Sequence, residues 1–137
     1  MQLTRHTDYA LRLLIDLAGA DEGLMQIADI AERQAISRTH LMKIASELAH
    51  AGFIEAVRGR GGGLRLARRP AEIRLDEILA VTEPRCDMVD CGSCRLVGRC
   101  RLPRVLDDAL NAFHAVLARH SLADVIGKDD GAQRAVL

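Results

Sequence analysis

Four cysteines lie within fifteen residues of this 137-residue chain, at Cys86, Cys91, Cys94 and Cys100. Structural zinc sites usually present two tight pairs of ligands separated by a longer loop. Here the Cys-x4-Cys-x2-Cys-x5-Cys spacing gives one tight pair and two outlying cysteines, which matches zinc poorly. Thiolates from an irregular loop are also the usual ligands of iron–sulfur clusters. The pattern therefore favours an iron–sulfur cluster and leaves zinc as the alternative.

The surroundings of these cysteines support the same chemistry. A thiolate-ligated cluster carries net negative charge, which neighbouring guanidinium groups stabilise; the flanking arginines are Arg85, Arg95, Arg99, Arg101 and Arg104. Cys100 also lies just before a helix predicted to begin at Pro103, and the positive end of a helix dipole favours a thiolate. We call residues 83–102, which show little periodicity, the cysteine loop.

The elements around the cysteine loop follow from hydrophobic periodicity and turn signals. Apolar residues at helical spacing predict helices over residues 9–18, 25–34, 38–51, 75–82 and 103–120. Ser37 is a good N-cap for the third of these helices. Two short apolar runs, 53–57 and 64–67, flank a glycine-rich connector and predict a β-hairpin. The fold class is therefore mainly α, a winged helix-turn-helix with a small hairpin wing and a long C-terminal helix.

A helix-turn-helix enters the major groove with polar side chains at the start of its second helix. The candidate DNA contacts there are Ser37, Arg38, Thr39, His40 and Lys43. Arg38 suits a bidentate contact to guanine, and Lys43 suits a phosphate. At the wing tip, Arg58 and Arg60 alternate with glycines and suit a narrow minor groove or phosphates. Residues 37–69 hold seven basic residues against two acidic ones, although the whole chain is neutral.

Composition excludes several other classes of protein. Aromatic residues make up 2% of the chain, which argues against a base-stacking binder of single strands. The histidines are scattered without the spacing of a hydrolytic zinc site, so we expect no enzyme. No apolar run is long enough for a membrane span and the first residues lack an export signal, so the expected location is the cytoplasm without membrane association.

The predicted C-terminal helix has an apolar arc that is broad for a peripheral helix. Such an arc packs either on the N-terminal helix or on the same helix of a second chain, and the pattern favours dimerisation. The predicted organisation is a DNA-binding domain at 1–82, the cysteine loop at 83–102, a dimerisation helix at 103–126 and a flexible tail at 127–137.

Several motifs in order resemble one known family across residues 1–126. They are MQLT at 1–4, TDYALR at 7–12, ISRTHLMK at 36–43, VRGRGGGLRL at 57–66 and LADV at 122–125. Together they resemble the winged-helix iron–sulfur repressors of the IscR/NsrR family. Within that family the chain looks most like the nitric-oxide-sensing branch, with the iron-responsive and redox-responsive branches (RirA-like and IscR-like) as alternatives.

The resemblance implies a homodimer that binds a palindromic operator in double-stranded promoter DNA. It implies one 4Fe–4S cluster per subunit, held by Cys91, Cys94 and Cys100 with Asp8 of the partner chain as fourth ligand. It also implies release of DNA when nitric oxide nitrosylates the cluster. Cys86 is an additional thiol that competes with Asp8 for the fourth position. A 2Fe–2S cluster and a zinc-stabilised, non-sensing repressor remain the alternatives.

Overall fold

The computed structural model describes residues 2–20, 23–84 and 88–127. The helices in this part of the chain are α1 (Arg5–Ala18), α2 (Ile27–Gln34), α3 (Arg38–His50), α4 (Leu75–Thr82), α5 (Leu102–Leu117) and α6 (Leu122–Val125). A 3-10 helix spans Pro70–Glu72, and strands β1 (Ile54–Val57) and β2 (Gly63–Leu66) form the hairpin. The predicted winged helix-turn-helix is confirmed. None of the helices in these residues is long and apolar enough to cross a bilayer.

Helix α1 is the central element of the core. Thr4 caps its start, because the Thr4 side chain accepts a hydrogen bond from the amide of Thr7. The helix therefore begins at Arg5, four residues before the prediction. Its inner face, which includes Leu13 and Leu14, is fully buried against α3, α4 and β2.

The turn between α2 and α3 orients the second helix of the motif. Ala35 ends α2 in the left-handed region at φ 53°, and the Ser37 side chain then accepts the amide of His40 at 3.3 Å. This confirms Ser37 as the N-cap of α3. The buried face of α3 comprises Leu41, Ile44, Ala45 and Leu48.

The wing is an antiparallel hairpin joined to the start of α2. Ile54 pairs with Leu66 at its base and Val57 with Gly63 at its tip. Met25 forms a β-bridge to Leu64, with backbone bonds of 2.8 and 2.9 Å in the two directions. Because the backbone of Met25 is engaged in this β-bridge, α2 begins at Ile27 and not at residue 25 as predicted.

The C-terminal segment leaves the domain and returns to it. In all of α5 no residue is buried, although its last residue, Leu117, packs on the edge of the core. The chain then turns back, and the Leu122 amide bonds the carbonyl of Ile73 at 2.7 Å. Helix α6 and the 3-10 helix were not predicted. The domain boundaries remain predictions, and Cys86 and tail residues 128–137 lie outside the described residues.

Candidate nucleic-acid interface and cysteine loop

The predicted recognition residues lie together at the exposed start of α3. Ser37, Arg38, Thr39 and Lys43 are all exposed. Their position follows from the burial of Leu41 and Ile44, which turns the remaining side chains outward. These residues can therefore meet a duplex without any rearrangement of the core.

Ion pairing separates the arginines predicted to contact DNA from the others in the basic segment. Arg65 pairs with Glu55 at 2.8 Å, Arg68 with Glu77 at 3.3 Å and Arg69 with Glu72 at 2.7 Å. In the described part of the chain, no ion pair engages Arg38, Lys43, Arg58 or Arg60. Their charges are thus available to phosphates and base edges. The charges of Arg65, Arg68 and Arg69 are partly neutralised by their acidic partners.

The wing tip holds its two arginines on a turn that strongly favours glycine. Gly59 and Gly61 have φ values of 99° and 76°, in the left-handed region that side chains disfavour. Gly62 is buried, and its carbonyl accepts a hydrogen bond from the side-chain amide of Gln26. This bond ties the tip, which carries Arg58 and Arg60, to the residue that precedes α2.

His40 occupies a different environment from its neighbours. It is only partly exposed, and its ring packs edge-on against Tyr9 with centroids 5.3 Å apart and lies 6.1 Å from the ring of His6. Its role as a DNA contact remains a prediction. Met42, which the sequence analysis did not include among the candidate contacts, is 52% exposed on the same helix. Its position four residues after Arg38 is the signal that identifies it.

Residues 91–100 of the cysteine loop form a series of tight turns. The amide of Cys94 bonds the carbonyl of Cys91 at 3.3 Å, and the amide of Cys100 bonds that of Leu96 at 3.0 Å. Gly98 supplies a left-handed residue at φ 85° between them. Cys91, Cys94 and Cys100 are all exposed on these turns.

Backbone amides point at two of the sulfur atoms. The Leu96 amide approaches the Cys94 Sγ at 3.5 Å, and the Leu102 amide approaches the Cys100 Sγ at 3.4 Å. Hydrogen bonds to the ligand sulfurs are among the features that tune protein-bound iron–sulfur clusters. Arg95, Arg99, Arg101 and Arg104 stand exposed around them. The donor chemistry therefore fits a thiolate-ligated iron–sulfur cluster.

The described residues of one chain do not by themselves form a closed ligand set. Across 2–20, 23–84 and 88–127, no group of three or more histidine, cysteine or acidic side chains is close enough to share a metal ion. Asp8 lies in the first turn of α1, where Arg12 holds its carboxylate with Nη2–Oδ2 and Nε–Oδ1 distances of 2.8 and 3.2 Å. Both Asp8 oxygen atoms thus contact Arg12 of the same chain, and the four-residue ligand set stays a prediction.

A second group of contacts, absent from the sequence predictions, joins the start of α1 to the start of the cysteine loop. The Glu83 carboxylate accepts hydrogen bonds from the Thr4 amide at 3.2 Å, the Thr4 hydroxyl at 3.0 Å and the Thr7 hydroxyl. Burial opposes ionisation of Glu83, but the bonds from Thr7 and Thr4 outweigh it and lower its pKa. We call these three residues the clamp. Because Thr7 and Glu83 lie 76 positions apart in the sequence, no local spacing signals the contact.

Comparison with known proteins gives one consistent result. Residues 3–128 match the family model Rrf2, described as an iron-dependent transcriptional regulator. The chain is similar to the HTH-type transcriptional regulators NsrR of Geobacillus kaustophilus, at 44% identity over 100% of this chain and 97% of that protein, and of Bacillus subtilis, at 42% over 95% and 94%.

Solved structures agree with the sequence comparison. The structure of T. potens IscR is similar with a TM-score of 0.77 at 28% identity, covering 100% of this chain and 94% of that one. The structure of CymR, the global cysteine regulator of B. subtilis, is similar with a TM-score of 0.72 at 26% identity, covering 92% and 96%.

Proposed function

Since this chain belongs to the Rrf2 family of transcriptional regulators, we propose that it is a repressor that senses nitric oxide through a 4Fe–4S cluster and then releases promoter DNA. As a member of that family it is a DNA-binding regulator and not an enzyme. The observation that carries the proposal is the set of exposed, unpaired cations on α3 and the wing, with a thiol-rich loop on the same chain. The finer parts, which are the signal, the cluster type and the assembly, rest on the arguments below.

The DNA interface is formed by α3 and the wing together. Arg38, exposed at the start of α3, suits a guanine edge, and Lys43, five residues later, suits a phosphate. Arg58 and Arg60 reach the flanking minor groove or backbone from the wing tip. Since phosphate contacts release counterions, binding by this surface weakens steeply as the salt concentration rises.

Helix α5 supports assembly as a homodimer. It is 16 residues long, and although many of its side chains are apolar, none is buried within one chain. Val105 is 60% exposed and Leu102 50% exposed. The partner we propose is a second copy of α5, because an isologous contact buries the same apolar face twice. Two helix-turn-helix units held in this way match the two halves of a palindromic operator.

We propose Cys91, Cys94 and Cys100 as ligands of the cluster in each subunit, with Asp8 contributed across the dimer and Cys86 as the competing fourth ligand. A bound cluster supplies iron that reacts with nitric oxide. The chain itself supplies sulfur donors, two of which accept the Leu96 and Leu102 amides, and a carboxylate on the helix next to α3. A carboxylate oxygen is a harder donor than a thiolate sulfur, so Asp8 would be the ligand that a small molecule displaces most readily.

Anaerobic isolation followed by titration tests the proposal. The wild-type chain first selects an operator from randomised duplexes, and iron and acid-labile sulfide are counted in the same preparation. We expect four irons and four sulfides per subunit, and a loss of operator affinity as nitric oxide is added. Stoichiometric zinc in a colourless protein would favour the non-sensing alternative. Equal affinity with and without nitric oxide, but a response to iron supply or oxidants, would favour the iron- or redox-responsive alternative.

Single alanine variants of the five candidate ligands decide the ligand set. The variants are Cys86→Ala, Cys91→Ala, Cys94→Ala, Cys100→Ala and Asp8→Ala. We expect the three proposed cysteines to be required for cluster retention, and Asp8→Ala to give a cluster with altered reactivity toward nitric oxide. Cluster loss in Cys86→Ala, together with retention in Asp8→Ala, would assign the fourth position to Cys86. Arg12→Ala is a useful companion, because it frees the Asp8 carboxylate without removing it.

A further inference from the structure

We propose that the first turn of α1 transmits the state of the cysteine loop to the recognition helix, with the Thr7–Glu83 contact as its input and the His6–Glu47 contact as its output. Thr7 and Glu83 thereby act as positioning residues for DNA binding. The inference rests on the proposed function and names the residues through which its regulation passes.

The input contact consists of several hydrogen bonds to one carboxylate. Thr7 is completely buried, and its hydroxyl donates to the same carboxylate that receives the Thr4 hydroxyl and amide. Glu83 directly follows the last residue of α4, and only two residues separate it from Cys86. A displacement at the start of the cysteine loop therefore moves the Glu83 carboxylate. Through its hydrogen bonds, that carboxylate also displaces Thr4, the N-cap of α1.

The output contacts lie on the other side of the same helical turn. His6, adjacent to Thr7, bonds through Nε2 to the Glu47 carboxylate in the last turn of α3. Tyr9 packs edge-on against His40, which belongs to the first turn of α3. The start of α1 therefore holds the recognition helix at two places, and one of them is next to the residues proposed to read bases.

The input and output contacts are made by the same continuous helix, α1. Thr7 makes the input contact and His6 makes the output contact, and the two residues are neighbours in a capped helix. The two contacts therefore cannot move independently unless the first turn of α1 breaks. Hydrogen bonds to base edges require donor–acceptor distances of about 2.7–3.2 Å, so a shift of about one ångström in α3 is enough to lose them. A small movement of Glu83 thus has a large effect on operator affinity.

The test compares two buried threonines. Thr7→Val removes the hydroxyl that donates to Glu83 and keeps the shape of the side chain. Thr82→Val is the matched control, because Thr82 is also buried but its hydroxyl donates to the Ile78 carbonyl of its own helix at 2.9 Å. The readout is the ratio of operator affinities of cluster-loaded and stripped protein. Coupled sites commonly show ratios of about 5–150, and we expect Thr7→Val to fall below about five while Thr82→Val keeps the wild-type ratio.

Hydrogen exchange gives a readout that needs no cluster. We expect Thr7→Val to speed exchange of the amides in the first turn of α3, and Thr82→Val to leave them at the wild-type rate. If Thr7→Val folds poorly, the Thr7–Glu83 contact can be tested by changing its other member, the partly exposed Glu83, with Glu83→Gln. Equal effects of Thr7→Val and Thr82→Val on both readouts would overturn the inference. A wild-type ratio of one would instead refute the proposed sensing, while the exchange experiment would still decide the inference.

Discussion

The wing tip offers a substitution whose effect can be worked out from atomic distances. A Cβ atom built on Gly62 would lie 2.1 Å from the carbonyl oxygen of Val57 and 3.0 Å from that of Gly59. Both contacts are to backbone atoms, which cannot rotate away as a side chain can. Gly62→Ala therefore has to open the tip, and in doing so it disturbs the bond from Gln26 to the Gly62 carbonyl.

The expected cost is that of forcing an extra methyl into a packed site, about 1–3 kcal/mol in the free energy of unfolding. Arg58 and Arg60 are carried by the same turn, so affinity for the selected operator should fall as well. Urea denaturation measures the first effect and an operator titration the second. Gly127→Ala is the control, because a Cβ there meets nothing within 4 Å. A Gly62→Ala protein with the wild-type denaturation midpoint and operator affinity would show that the reasoning about the tip is wrong.

Three further predictions concern the interface, the assembly and pH. Arg60→Ala should reduce the slope of log affinity against log salt by about 0.9, whereas Arg38→Ala should relax base preference at one operator position; equal weakening on all sequences would refute the role of Arg38. Val105→Glu should shift the chain toward monomer in sedimentation, since it buries a charge in the proposed α5 interface; an unchanged dimer would move the interface elsewhere. Hydrogen bonds from Thr7 and Thr4 hold the folded pKa of Glu83 below the ordinary pKa of a glutamate. Its ionised form therefore stabilises the fold above that ordinary pKa, and the contribution is lost as pH falls through the lower, folded pKa. The stability difference between wild type and Glu83→Gln should therefore shrink in acid, and a constant difference from pH 6 to pH 3 would exclude the clamp as its source.

The sequence predicts the fold well where periodicity and capping act over one element. The bounds of α4 agree with the predicted 75–82, and Ser37 caps α3 as expected. The errors occur where a residue far away in the sequence determines the local structure. Residue 25 leaves α2 because Met25 bridges to Leu64, and α6 forms because its first residue, Leu122, bonds back to Ile73. Such long-range pairings have no local signal.

The same division holds for the candidate site. Residue type and spacing identify the exposed cations of α3 and the wing, since helical periodicity also determines which side of α3 is buried. They do not identify the clamp, because Thr7 and Glu83 are ordinary capping and surface residues until the fold brings them together. The ligand set is also beyond prediction from spacing, because the cysteine loop lacks periodicity and Asp8 would have to come from another chain.

The exposed apolar residues connect the assembly of the protein with its proposed cofactor. Val97, 66% exposed, and Leu96, 58% exposed, lie between Cys94 and Cys100, and the exposed face of α5 begins directly afterwards at Leu102. A partner that covers the start of α5 therefore also approaches the cysteine loop. Water and oxygen reach a thiolate-ligated cluster more slowly when apolar side chains surround it. If Asp8 is supplied across the same contact, dimerisation completes the ligand set and shields it in one step. Loss of the dimer and loss of the cluster should then occur together and not in sequence.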